Sequence, residues 1–224
     1  MTTQINWDEF IPKYCEINSR GFSYGMGEPY GQMCVEAAVC TALGLPFGDD
    51  PQCVEEAVRS FKIRLNDAPW STEEARAEGL KLLGIAQVGS LGVVSGKEFY
   101  TRMYLKIVTR VLPGYLRKYY SNLYQVEDLP KLFEAVDRLE KITDVLVAQE
   151  ELLAVHNICW SPATQCLIAT KESDVVLARR LAVVFLRCET SAESDTWLRM
   201  GADLALETLQ ELNSPGCAFL SRVA

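Results

Sequence analysis

Apolar residues recur at helical spacing along most of this 224-residue chain and almost nowhere alternate one by one. Leu132, Val136, Leu139, Leu146 and Leu153 follow one another at steps of three, four and seven. Such steps align side chains on one face of a helix of about 24 residues that starts near Pro130, a proline suited to a first turn. Leu198, Ala202, Ala205, Leu209 and Leu212 draw a second stripe, stopped by Asn213-Ser214-Pro215-Gly216. Cys217 to Leu220 is apolar enough to fold back onto the body. A chain patterned in this way cannot bury its apolar residues as strands. It predicts an all-α fold, a compact single-domain bundle of seven or eight helices over residues 1–224.

Turn chemistry divides the pattern. Helix-like runs at about 31–43 and 51–63 flank Gly44-Leu45-Pro46-Phe47-Gly48 and predict an αα-hairpin. Ser71-Thr72-Glu73-Glu74 has the Ser-x-x-Glu form of a capping box and predicts a helix from about 72 to 84. A long helical stretch from 96 to 124 meets Pro113-Gly114, where the missing N–H and the ring's clash with the preceding turn predict a kink or break. Trp160-Ser161-Pro162 reads as a loop, and Gln165 to Thr170 as either a short strand or the approach to a helix. Helix returns at about 172–188, and Thr190-Ser191-Ala192-Glu193 is a second capping-box pattern.

Nearly half the residues are hydrophobic, enough for a sizeable core, and the formal charge is −8. That acidity argues against a general nucleic-acid binder, which neutralises phosphates with a basic surface. Residues 1–10 carry neither the basic nor the apolar region of a signal peptide, and the longest apolar run, Leu181 to Leu186, is far too short to span a membrane. The expectation is a cytoplasmic protein with reduced thiols. Its cysteines at 15, 34, 40, 53, 159, 166, 188 and 217 form no CxxC pair and no cluster with His156, the single histidine. The spacing therefore calls for no metal, and no motif calls for a cofactor.

Two segments nearly repeat nineteen residues apart: Cys34-Val35-Glu36-Ala37-Ala38-Val39 and Cys53-Val54-Glu55-Glu56-Ala57-Val58. Each places a cysteine where a helix is expected to begin, and a helix N-terminus favours a thiolate. Cys34 follows a glycine-rich loop, as a papain-like nucleophile does, with Gln32 nearby as an oxyanion donor. Its base would have to be His156, beside Asn157. The plainer reading makes Cys34 and Cys53 equivalent buried residues between two similar helices. The loop itself, Gly21 to Gly31, invites comparison with phosphate cradles, but it has no Gly-Lys-Ser/Thr, carries Glu28, and has only Arg20 as a nearby base. A small-ligand site with this loop as its lid is the related alternative.

One segment is basic. Between 97 and 118, Lys97, Arg102, Lys106, Arg110, Arg117 and Lys118 face a single acid, Glu98, with Tyr100, Tyr104, Tyr115, Tyr119, Tyr120 and Tyr124 interleaved or close by. Arg102, Lys106 and Arg110 share one helical face. An internal charge match with residues 127–151, which hold eight acids and three bases, is the plain reading. The functional reading is a protein-binding face made of Tyr100, Arg102, Tyr104, Lys106 and Arg110, since interfaces favour tyrosine and arginine.

In Cys34-Val-Glu-Ala-Ala-Val-Cys40, Arg64-Leu-Asn-Asp-Ala-Pro-Trp70, Gly84-Ile-Ala-Gln-Val-Gly-Ser90 and Asn213-Ser-Pro-Gly-Cys217 the chain resembles a family of bacterial and phage-encoded helical proteins with no assigned activity. The resemblance covers about residues 20–115 and the C-terminal 25. It implies a prokaryotic or phage setting and a helical accessory protein acting through a protein partner, as an immunity, anti-defence or regulatory factor. A cysteine-dependent enzyme using Cys34 and His156 is the alternative expectation. Nucleic-acid and membrane partners are not expected, and oligomeric state is left open.

Overall fold

The computed structural model describes residues 5–121, 129–168, 172–187 and 193–223. About 70% of the chain is helical, and no strand forms among the described residues. The all-α expectation holds, but eleven α-helices among the described residues replace the seven or eight expected. They are α1 (Trp7–Asn18), α2 (Val35–Ala42), α3 (Glu56–Asn66), α4 (Glu73–Ala86), α5 (Gly96–Lys106), α6 (Leu112–Ser121), α7 (Leu129–Leu139), α8 (Val145–Ile158), α9 (Pro162–Leu167), α10 (Asp174–Arg187) and α11 (Ser194–Glu211). A π-helical turn, Ile107–Val111, joins α5 to α6, and a 3₁₀ segment, Pro215–Arg222, follows α11.

The π turn is the response to Pro113. Proline offers no N–H to the carbonyl four residues back and crowds it, and a widened turn relieves both problems without ending the helix. Thr109 Oγ1 donates to the Leu105 carbonyl at 2.9 Å inside this turn. The expected interruption is therefore present, displaced one turn toward the N-terminus.

The single helix expected after Pro130 is two. Residues 140–144 leave the helix, and Asp144 caps α8 by accepting from the N–H groups of Leu146 and Val147 at 2.8 and 3.1 Å. A break of this kind resets the phase of the apolar stripe. Leu132, Val136 and Leu139 remain buried in α7, whereas α8 buries Ala148, Leu152 and Val155 and turns Leu146 and Leu153 outward.

Two other boundaries move by a residue or more. Thr72 rather than Ser71 caps α4, accepting from Ala75 N at 3.0 Å, while Ser71 binds the Asp195 carboxylate on α11 through its N–H and hydroxyl. Ser161, read as loop, forms a reciprocal capping box with Thr164 and starts α9. Gln165 to Leu167 are thus helical, and Ala169 and Thr170 lie outside the described residues, as do the first three residues of the expected box at 190–193. Glu193 precedes α11 without a side-chain cap.

The core forms around α10, which packs against α3, α5, α9 and α11. Phe185 meets Phe61 of α3 edge to face at 6.5 Å, and Phe61 meets Phe99 of α5 at 6.0 Å. Full burial of each such ring contributes about 1.5–3 kcal/mol. On the other side α1 packs on α2 and α4. There Gly84 lets α4 approach the buried Tyr14 hydroxyl, which would overlap a Cβ at that position. The second apolar stripe is buried at Leu198, Ala202, Ala205 and Leu209, and Asn213 ends α11 at a positive φ of 56°. The C-terminal segment folds back as expected: Phe219 stacks on Trp7 at 4.0 Å, and Gly216 N donates to the Val88 carbonyl at 3.0 Å.

Candidate functional site

The cysteine repeat is not a structural repeat. Cys34 is the N-cap of α2, its Sγ accepting from Ala37 N at 3.3 Å. Cys53 lies in the turn before α3, where Glu55 takes the N-cap position, because Asp50-Pro51 opens a turn closed by Val54 N donating to the Pro51 carbonyl at 3.0 Å. The two cysteines therefore meet different surroundings, and the expected hairpin is unsymmetrical, with α3 packed chiefly on α10 and α2 on α1.

The loop before Cys34 is held from both sides. Ser23 N donates to the Met33 carbonyl at 3.0 Å, Glu28 N to Gln32 O at 2.9 Å, and Cys34 N to Met26 O at 3.1 Å. Gly27 adopts a φ of 75° and passes so close to Gln32 O and Met33 that a side chain there has no space. From α3, Asn66 donates to the Ser23 carbonyl at 3.1 Å and accepts from Val35 N at 3.3 Å. Asp67 Oδ1 accepts from Gly25 N at 3.0 Å. Behind the loop is a cavity of about 70 Å³ bordered by Gly25, Met26, Cys34, Val35 and Ile63 and by the polar residues Glu36, Asp49, Asn66 and Asp67.

This arrangement supports neither the nucleophile nor the phosphate expectation. Burial pushes the Cys34 thiol up to about 11, outweighing the hydrogen bond from Ala37 N at the helix start. Gln32 spends its amide on the Arg20 carbonyl at 2.8 Å. His156 places Nδ1 2.9 Å from Thr164 Oγ1, tying α8 to α9, and it does not border the cavity beside Cys34. The fold does not bring Cys34 and His156 together as a catalytic pair. Arg20 is paired with Glu16 at 2.6 Å, and the cavity is acidic where a phosphate would need positive charge. The remaining described cysteines, at 15, 40, 53, 159, 166 and 217, are free thiols, Cys188 lies outside the described residues, and no group of acids, cysteines and histidine stands ready to hold a metal among those described.

Beneath the cavity lies a polar cluster that sequence reading missed. Glu36 Oε2 is 3.1 Å from Lys62 Nζ and accepts from Gln87 Nε2 at 2.9 Å, and all three residues are buried. A signal was available: Lys62 occupies the apolar face of α3 between Val58, Phe61 and Leu65, where a solvated lysine has no place.

The basic segment is consumed internally, chiefly by a different helix from the one expected. Arg102 reaches Glu211 at 3.3 Å, Lys106 sits 2.9 Å from Glu211 and 3.2 Å from Glu207, and Arg110 reaches Glu207 at 2.9 Å. All three therefore pair with α11. Arg117 meets the 127–151 segment, through Asp137 and Glu140, while Lys118 pairs with Glu193. Tyr100, Tyr104 and Lys106 are buried, so the five residues do not form an exposed contact face: the tyrosines that were to be its anchors point into the core. Tyr124 lies outside the described residues.

Apolar side chains also lack a cover among the described residues, at Tyr24, Met26 and Tyr30 of the glycine loop, at Leu91 and Val93 before α5, and along the outer face of α8. Leu146 is 65% exposed, Val147 50% and Leu153 49%, and Trp160 just beyond the helix is 65% exposed. Leu146 and Leu153 are seven residues apart on one side of the helix, with Glu150 between them. No helix among the described residues is long and apolar enough to cross a membrane. Comparison of the chain with protein-family models, with curated proteins and with solved structures finds no match.

Proposed function

We propose that this protein is a helical accessory factor that acts by binding another protein through the outer face of α8. The observation that carries this reading is the exposure of Leu146, Val147 and Leu153 on α8 together with Trp160 just beyond its end. Large side chains at helical spacing with no cover offer the anchors that interfaces use. A partner helix with apolar residues seven apart and a basic residue opposite Glu150 fits this face. A second copy fits less well, since two α8 helices would bring their Glu150 carboxylates together. Under the resemblance given above, such a factor belongs to a prokaryotic or phage setting and serves immunity, anti-defence or regulation.

The test is a photo-crosslinking residue placed at Leu153 in the protein expressed in its native host. A discrete adduct is expected, and Leu146→Asp with Leu153→Asp should abolish it without lowering the melting temperature. An adduct that survives this double change, or a face that yields no adduct, overturns the reading. A homodimer adduct would replace the partner with a second copy.

A further inference from the structure

We propose that Trp160 is the anchor of the α8 face, an indole ring held in its docking orientation before the partner arrives, and that Gln165 is the residue that positions it. This inference rests on the α8 reading and deepens it: the partner is a helix of another protein that ends in an apolar recess for the ring.

The corner between α8 and α9 is fixed from several sides. Tyr120 of α6 donates its hydroxyl to the Trp160 carbonyl at 2.7 Å. His156 of α8 meets Thr164 of α9 at 2.9 Å, and the reciprocal capping box of Ser161 and Thr164 sets the first turn of α9. Among these tethers the Trp160 side chain stands largely exposed. Its Nε1–H nevertheless has an acceptor, Gln165 Oε1 at 3.2 Å. Gln165 is itself held, since its backbone carbonyl accepts from Arg180 of α10 at 3.3 Å.

That one side-chain bond sets what the ring can offer. The Nε1–H is the only polar group of an indole. Satisfied within the chain, it asks nothing of a partner, and the apolar faces of the ring are what remains to be covered. A pocket built around an acceptor for the indole N–H gains nothing from it, whereas an apolar recess gains the ring's faces. The bond also fixes the ring's torsions in the free protein, so less rotamer freedom is lost on docking. Tryptophan is enriched among the residues that dominate interface energies. From Leu146 to the end of α8 at Ile158 the face runs about 18 Å. The partner therefore lays about three helical turns along Leu146 and Leu153 before the recess that takes Trp160.

The test reads the ring in the free protein and the contact in the native host. In the ¹⁵N-labelled protein, Gln165→Leu should move the Trp160 indole N–H resonance, identified by its loss in Trp160→Phe. It should also speed exchange of that proton with water about threefold, with the melting temperature unchanged. In the host, the yield of the adduct from a photo-crosslinking residue at Leu153 reports the contact. Trp160→Ala should lower that yield about tenfold. If Trp160→Ala melts early, Trp160→Arg, long enough to cover the same surface but unsuited to an apolar recess, should show the same loss. Gln165→Leu and Trp160→Phe both lose the bond and keep a ring, and each should lower the yield about threefold. Gln165→Glu, whose carboxylate still accepts from the indole, should keep the original yield. An undiminished adduct in a folded Trp160 variant overturns the anchor and leaves the α8 reading standing. Equal losses in Gln165→Leu and Gln165→Glu, or none in Gln165→Leu, overturn the positioning role of Gln165. No adduct from the protein with Trp160 and Gln165 intact overturns both this inference and the α8 reading.

Discussion

Lys62 Nζ lies 3.1 Å from Glu36 Oε2, and neither side chain exposes any surface. The pair joins the first turn of α2 to the middle of α3. Burial raises the Glu36 pKa and lowers that of Lys62, while each partner's charge opposes the shift of the other. A pair of this kind gains little net stability, yet removing one member strands the other charge. Lys62→Met is therefore expected to cost about 3–5 kcal/mol in urea unfolding. Glu36→Gln added to Lys62→Met should recover most of that loss, since the amide oxygen introduced there can still accept from Gln87. A double variant as unstable as the single one would show that Lys62 acts by packing alone.

The thiols predict an alkaline limit to stability. Burial pushes Cys34, Cys159 and Cys217 up to about 11 and Cys40 up to about 12. The unfolded chain releases these protons near 8.5. The fold binds them more tightly, so their contribution is present in full below about pH 8.5 and is lost as pH rises through 11–12. Burial raises Tyr14 and Tyr104 in the same sense. The melting temperature should fall steeply between about pH 9 and 12 and show no thiol-dependent slope below about pH 8. At about pH 7.5 a disulfide reagent should label Cys34 only at the rate of opening. Rapid native labelling of Cys34 would contradict its burial.

Two helical glycines should respond oppositely to the same change. A Cβ at Gly84 overlaps the Tyr14 hydroxyl, whereas one at Gly114 meets nothing. Gly84→Ala should destabilise by about 1–3 kcal/mol through overpacking at the α1–α4 contact. Gly114→Ala, on the exposed side of α6, should stabilise by about 0.5–1 kcal/mol. Denaturation midpoints of both variants check the pair.

The α5–α11 ladder predicts graded losses. Arg102 and Arg110 are substantially exposed, so Arg102→Ala and Arg110→Ala should each cost only about 0–1 kcal/mol. Lys106 is buried and donates to Thr208 Oγ1 at 3.1 Å besides its two glutamates. Lys106→Ala should cost about 1–3 kcal/mol, since it removes the donor to the buried Thr208 hydroxyl and one of the two basic partners of each glutamate, Arg102 and Arg110 being the others. Arg102→Glu with Lys106→Glu should lower the melting temperature and leave crosslinking at Leu153 intact. Loss of the adduct in a stably folded form of that variant would restore the α5 segment as the contact surface.

Local chemistry made much of the fold legible in the sequence. The stripes at Leu132-Val136-Leu139 and Leu198-Ala202-Ala205-Leu209 bury as they read, Pro113 distorts its helix, and Asn213 to Gly216 end α11, because each depends on side chains within a turn or two of one another. Tertiary structure decided the rest. It set which acids face Arg102, Lys106 and Arg110, since opposite charges attract without regard to sequence distance and α11 lies closer to α5 than charge composition reveals. It turned Leu146 and Leu153 outward, because the break at residues 140–144 rotates everything that follows. It also left Cys34 protonated. A helix start favours a thiolate only where water or a cation shares the site, and here the packing of α1, α3 and the glycine loop withdraws that support.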